Sequence, residues 1–112
     1  MTSVRIVKSK VTGYKSLEVF GHSGYSEEGS DIVCASISTA TDLIISILEK
    51  FSVDTRLEIR EDSAYVLCEI CETEGNSAKK SEITNVVGGF AEYIKDVSCV
   101  YPEYLKCVIT QE

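Results

Sequence analysis

The sequence has no uninterrupted apolar run approaching the roughly 18–20 residues that a membrane-crossing helix needs. Its start, Met1-Thr2-Ser3-Val4-Arg5, lacks the long apolar block of a secretory signal. Basic residues are in deficit: 11 Lys and Arg stand against 18 Asp and Glu, for a net charge of −7. A protein that grips phosphate backbones carries the opposite balance, so direct nucleic-acid binding is not expected. Together these absences predict a cytoplasmic protein with no membrane partner.

A paired set of cysteines is also missing. Cys34, Cys68, Cys71, Cys99 and Cys107 are odd in number and irregular in spacing, which is no disulfide framework. In a reducing compartment the expectation is five free thiols. Most free cysteines behave as small buried hydrophobes, so the question is whether one has an unusual address. Histidine is reduced to one residue, His22, which leaves a single imidazole for acid–base work. No linker or composition shift divides the 112 residues, a common length for one domain with its own core. The expectation is a single domain, residues 1–112.

What is present is alternation, then helical periodicity. Residues 4–7 and 15–20 alternate around Gly13 and predict a β-hairpin, with Leu17 and Val19 on one face. Residues 21–30 hold three glycines and three serines, the composition of a loop. Asp31 then precedes a helical stretch to about Phe51, in which Ile37, Ala40, Ile44, Ile47 and Leu48 recur on one face. Two more strands follow, at 55–59 and 64–70, with a turn at Glu61-Asp62-Ser63. Residues 72–80 form a loop or a helix entry. Ile83, Val86, Val87, Phe90, Ala91, Ile94 and Val97 mark a second amphipathic helix, which Pro102 closes before a last strand at 104–110. The order is ββαββαβ. It predicts a two-layer α/β fold, with two helices packed on one face of a mixed sheet of about five strands.

Cys34 has the unusual address. With Asp31 as N-cap it sits in the first turn of the central helix, where orphan N–H groups and the positive dipole end favour a thiolate. The dipole alone contributes only ~0.3–1 kcal/mol when exposed, so a strong nucleophile also needs a base. His22, at the strand-to-loop junction twelve residues earlier, is within reach if the loop folds back to the helix start. Asp31 either caps the helix or orients His22, and capping is the stronger local rule. Ser38 lies one turn beyond Cys34 on the same face; it bonds either to substrate or to the carbonyl of residue 34. Amides near Cys34 are candidate oxyanion donors. Cys68-Glu69-Ile70-Cys71 has CxxC spacing but falls at the end of a strand, which favours core packing over a redox motif or a zinc site. Gly88-Gly89 within a helix suggests close approach of another backbone, as at a dimer interface. No metal and no cofactor is expected.

Gly21-His22-Ser23-Gly24-Tyr25, then Gly29-Ser30-Asp31-Ile32-Val33-Cys34-Ala35 and Ser36-Ile37-Ser38, resemble the signature of the bacterial ribosomal-processing cysteine protease family, Prp. Chain length and element order resemble it too. The resemblance implies Cys34 as nucleophile and His22 as base. It places Gly21, Ser23, Gly24, Asp31 and Ser38 at substrate-binding or supporting positions; Ser23 stands where the family often has alanine. It implies a glycine-rich loop, residues 21–31, that closes over substrate, and a homodimer. It implies as partner the precursor of large-subunit ribosomal protein number twenty-seven, whose N-terminal extension is removed after a hydrophobic, Phe-containing segment. Glu27, Glu28 and Asp31 would set negative charge beside a basic ribosomal tail. The rival readings are a ribosome-associated module that binds a basic peptide without cutting it, and a redox sensor built on Cys34.

Overall fold

The computed structural model describes residues 1–22, 24–27 and 31–112. The elements run β1 (Thr2–Ser9), β2 (Gly13–Phe20), α1 (Ile32–Lys50), β3 (Thr55–Arg60), β4 (Tyr65–Ile70), α2 (Glu74–Ala78), α3 (Lys80–Val100) and β5 (Leu105–Gln111). The expected order holds, with one addition. The short helix α2 occupies the polar stretch before α3.

The reason for α2 is Asn76, which is 1% exposed. Its Nδ2 donates to the carbonyls of Asp54 and Cys71, at 2.9 and 2.7 Å. Its Oδ1 accepts from the Asp54 amide at 3.0 Å, and the Thr73 hydroxyl oxygen accepts from its own amide. One side chain thus staples the start of β3 to the end of β4. A helix of five residues has too few turns to show a periodic apolar face.

The sheet has the order β3-β4-β2-β1-β5. Only β1 and β5 pair in parallel, so the sheet is mixed. Register explains the core. Leu57, Cys68, Leu17, Ile6 and Ile109 form one row across all five strands, and Ile59, Val66, Val19, Val4 and Cys107 form the next. Because side chains alternate faces, both rows lie on the same side. The neighbouring row on the other side reads Glu58, Leu67, Glu18, Arg5 and Val108, a largely polar face.

Both long helices cover the apolar side. α1 buries Val33, Ile37, Thr41, Ile44 and Leu48, and α3 buries Ile83, Val87, Phe90, Ala91 and Ile94. Each fully buried Ile or Leu contributes about 1.5–3 kcal/mol of transfer free energy. The cover stops short of the edge strand. Leu57 and Ile59 of β3 stand at the ends of the two core rows yet are exposed. That leaves a trough between α1 and the β3–β4 hairpin.

One expectation needs correction. α1 spans 19 residues with a mean hydropathy of 1.6, long and apolar enough to cross a membrane by length and composition. Serines and threonines interrupt its apolar runs without lowering that mean much, so a search for unbroken runs passes over it. Here one face of α1 packs on the sheet, and the core helix of a folded domain passes the same test. Within the chain itself the glycine pair has open space beside it. A Cβ on Gly88 would meet only the Tyr14 hydroxyl at 3.6 Å, and one on Gly89 would meet nothing within 4 Å. Among the described residues no backbone outside α3 approaches them closely, which leaves the expected approach to the backbone of a second copy.

Candidate active site

The loop that follows β2 begins with a sharp bend. Gly21 has φ +88°, and a Cβ there would lie 2.7 Å from the Met1 carbonyl oxygen, so both conformation and space require glycine. Its amide donates to the Ala64 carbonyl and its carbonyl accepts from the Thr2 hydroxyl at 3.4 Å. The chain therefore leaves the sheet at a fixed point. The next residue, His22, is exposed. Gly24 also has positive φ, +74°. Ser23, Glu28, Gly29 and Ser30 lie outside the described residues.

The loop returns at Asp31, the N-cap of α1. Asp31 is buried, and its carboxylate is the local hub. Oδ1 accepts from the Cys34 amide at 2.9 Å, and Oδ2 accepts from the Tyr25 and Ser26 amides at 3.1 and 3.3 Å. Of its two candidate jobs, the cap is the one the bonds realise. It also ties the loop to the helix that carries Cys34.

Cys34 is half-buried and shares with His22 a cleft of about 370 Å³. Gly21, Gly24, Asp31 and Ser38 line the same cleft, so the predicted set converges, Ser23 aside. Among the described residues no hydrogen bond joins His22 to Cys34. Such bonds commonly tighten only when substrate is present. Ser38 is exposed toward the cleft and makes no bond to the carbonyl of residue 34. The residues of α1 that do bond back are Ser36, to Ile32, and Thr41, to Ile37. Two of the candidate oxyanion amides already have acceptors. The Cys34 amide donates to the Asp31 side chain, which is the cap, and the Ala35 amide donates to the Asp31 carbonyl at 3.0 Å, the first bond of the helix itself.

Sequence reasoning missed the far wall. Ile59, Arg60, Glu61, Ala64, Tyr65 and Val66 close the cleft from the β3–β4 hairpin. Arg60 pairs with Glu58 and lies over the Tyr65 ring, whose hydroxyl donates to Glu18 at 2.7 Å. No local pattern signals this wall, because the β2–β4 pairing that builds it is long-range. Asp42 was readable: positions 34, 38 and 42 step along one helix face, and all three line the cleft.

The opposite flank of α1 carries a larger groove, about 810 Å³, between α1 and α3. Its lining includes Ile32, Leu43, Phe90, Tyr93 and Gly89, and it is apolar. The remaining cysteines stay out of the cleft. Burial pushes the Cys68 thiol up to about 11 and raises Cys107 as well. Both are thereby kept as neutral thiols. No cluster of metal-ligating residues occurs among the described residues.

A family model described as cysteine protease Prp matches residues 1–106. No curated protein sequence matches the chain. Several solved structures share the fold, and three of them are informative. SMU.848 from Streptococcus mutans is 23% identical, with a TM-score of 0.82, and the match covers 100% of this chain and 96% of that one. The essential ribosomal processing protease Prp from S. aureus, with a covalently linked product peptide, is 17% identical with a TM-score of 0.81. The same S. aureus protease with a substrate peptide is 15% identical with a TM-score of 0.79. In both S. aureus structures the match covers 97% of this chain and 99% of that one.

Proposed function

Because the chain belongs to the Prp cysteine protease family, we propose that Cys34 is its nucleophile and His22 its general base. The observation that carries this reading is their meeting in one cleft, with the carboxylate of Asp31 fixing the helix turn of one and the loop of the other. His22 takes the Cys34 proton, and the sulfur attacks the scissile carbonyl carbon. The tetrahedral oxyanion collapses as His22 returns the proton to the leaving amine. Water, activated by His22, then cleaves the thioester and regenerates the thiol. With the Cys34 and Ala35 amides already bonded, the Ser38 hydroxyl, one turn along the same helix face and lining the cleft, is a further donor for a substrate oxygen.

The substrate is the N-terminal extension of large-subunit ribosomal protein number twenty-seven, cut after an apolar, Phe-containing segment. The naming of the S. aureus relative as a ribosomal processing protease, crystallised with a substrate peptide, supports this. So does the cleft, where Val19, Ile37, Ile59 and Val66 offer apolar surface beside Asp42 and Glu61. The protein acts as one domain in a bacterial cytoplasm during ribosome assembly. It acts as a homodimer, supported by the exposed apolar groove between α1 and α3. Glu27 and Glu28 steer the basic substrate, so changing both to Lys should slow cleavage at low salt and less at high salt.

The test is incubation with a peptide spanning the extension, read by mass spectrometry. Cleavage by the wild type that disappears in both Cys34→Ala and His22→Ala is the expected result. Binding without cleavage by the wild type would move the protein to the non-catalytic class.

A further inference from the structure

The ring of Tyr25 stands edge-on to two other rings, Tyr101 at 5.4 Å and Tyr104 at 5.2 Å between centroids, both at 83°. These partners come from the far end of the chain. Tyr101 caps α3, and Tyr104 closes the turn that leads into β5. That turn is rigid. The Tyr104 and Leu105 amides both donate to the Tyr101 carbonyl, the Thr2 amide donates to the Tyr104 carbonyl, and both rings pack against the core. Tyr25 itself is 41% exposed, so its ring adds little to the core. A half-exposed aromatic held by two seated ones is a positioning contact, since edge-to-face geometry is directional.

We infer that Tyr101 and Tyr104 form an aromatic seat for Tyr25, and that this seat positions His22 relative to Cys34. His22 lies between two anchors. Before it, Gly21 is held by Ala64 and Thr2; after it, Tyr25 is held by the seat and, through its amide, by Asp31. Only three residues separate Gly21 from Tyr25. With so short a connection, the position of the second anchor limits where the imidazole can sit. Tyr25, Tyr101 and Tyr104 are positioning residues and touch no reacting atom.

This inference rests on the protease reading, and two measurements keep the two separable. The first is alkylation of Cys34 by iodoacetamide at neutral pH without substrate, followed on the Cys34 peptide by mass spectrometry. His22→Ala must react more slowly than the wild type; equal rates would remove the dyad itself. Tyr25→Ala must then slow toward the His22→Ala rate, whereas a wild-type rate in Tyr25→Ala would overturn the seat alone. The second is peptide hydrolysis. Tyr25→Ala should lose roughly tenfold or more in kcat with KM changed less, as small misplacement of a catalytic group costs rate. Tyr25→Phe keeps the ring and should restore both readouts; failure to do so would assign the effect to the hydroxyl and overturn the seat. Tyr101→Leu with Tyr104→Leu should reproduce Tyr25→Ala, and adding Tyr25→Ala should cost nothing more, because the interaction is already absent. Additive losses would show Tyr25 acting on substrate instead. Equal melting temperatures for wild type and Tyr25→Ala exclude unfolding as the cause.

Discussion

At the scale of single residues, Asp31 does more than its position in the sequence suggests. An N-cap is expected to accept one or two amides of its own helix. Here the second oxygen reaches across to the amides of Tyr25 and Ser26. Replacing Asp31 by Ala should therefore exceed an ordinary cap loss and cost about 2 kcal/mol, because loop amides lose their acceptor too. Urea midpoints of the two proteins measure this. A loss of a few tenths of a kcal/mol would reduce Asp31 to a dispensable cap. Cys68 makes a different residue-level prediction. Its thiol is pushed up from 9.0 to about 11, chiefly because burial penalises the thiolate. Below pH 9 the thiol is protonated in both folded and unfolded chains. Between pH 9 and 11 the unfolded chain loses the proton first, so stability falls as pH rises and stops falling above the folded value. The Cys68 share of that fall is roughly 2 kcal/mol. Burial raises Tyr14 and Cys107 as well, so the measurement is the difference in slope between wild type and Cys68→Ala, which should be the flatter. Parallel slopes would remove Cys68 from the alkaline transition.

At the scale of elements, legibility followed periodicity. The hairpin of β1 and β2, the long helices and the Asp31 cap were readable because each is written in nearby residues. Leu17 and Val19 were placed on one face by alternation, and the register puts them on the core side. The short helix α2 was left open between a loop and a helix entry, since its cause is a set of bonds from Asn76 to Asp54 and Cys71, on either side of the β3–β4 hairpin. Asn76→Ala should leave the Asp54 amide and two carbonyls without their partner in a partly buried place and cost about 1–3 kcal/mol. Thermal denaturation reads this directly, and an unchanged melting temperature would mean water replaces the amide at no cost. The turn between β1 and β2 carries a comparable sensitivity. Gly13 has φ +88°, and a Cβ there would overlap the Thr84 hydroxyl of α3. Gly13→Ala should lower stability by more than the ~1 kcal/mol usual for strained glycine sites, since the hairpin must also lift off the helix. The matching control is Thr84→Ala with Gly13→Ala, which removes the overlap and should recover part of the loss.

At the scale of the whole molecule, α1 serves three surfaces at once. One face packs on the sheet, one carries Cys34, Ser38 and Asp42 into the cleft, and the third opens onto the groove shared with α3. The first two faces were legible as apolar spacing and as a reactive cysteine near a cap. The third blurred the pattern, because Ile32 and Leu43 are apolar yet 53% and 59% exposed. Apolar side chains on a soluble surface are ordinary when scattered, but here they join Tyr93 and the edge of Phe90 into one groove. A net charge of −7 opposes self-association, so the homodimer proposed above is favoured where charge is sparse, and this groove has no ionisable lining beyond the Tyr93 phenol. Leu43→Glu places two like charges in such an interface, one from each copy, and cannot disturb the core that Leu43 does not join. The expected result is a wild type that sediments as a dimer and a variant that sediments as a monomer at the same concentration, with an unchanged circular dichroism spectrum. Ile32 lines the groove two residues before Cys34, so loss of the dimer should also loosen the start of α1 and lower peptide cleavage. A variant that stays dimeric would move the interface off this groove, and one that is monomeric but fully active would separate assembly from catalysis.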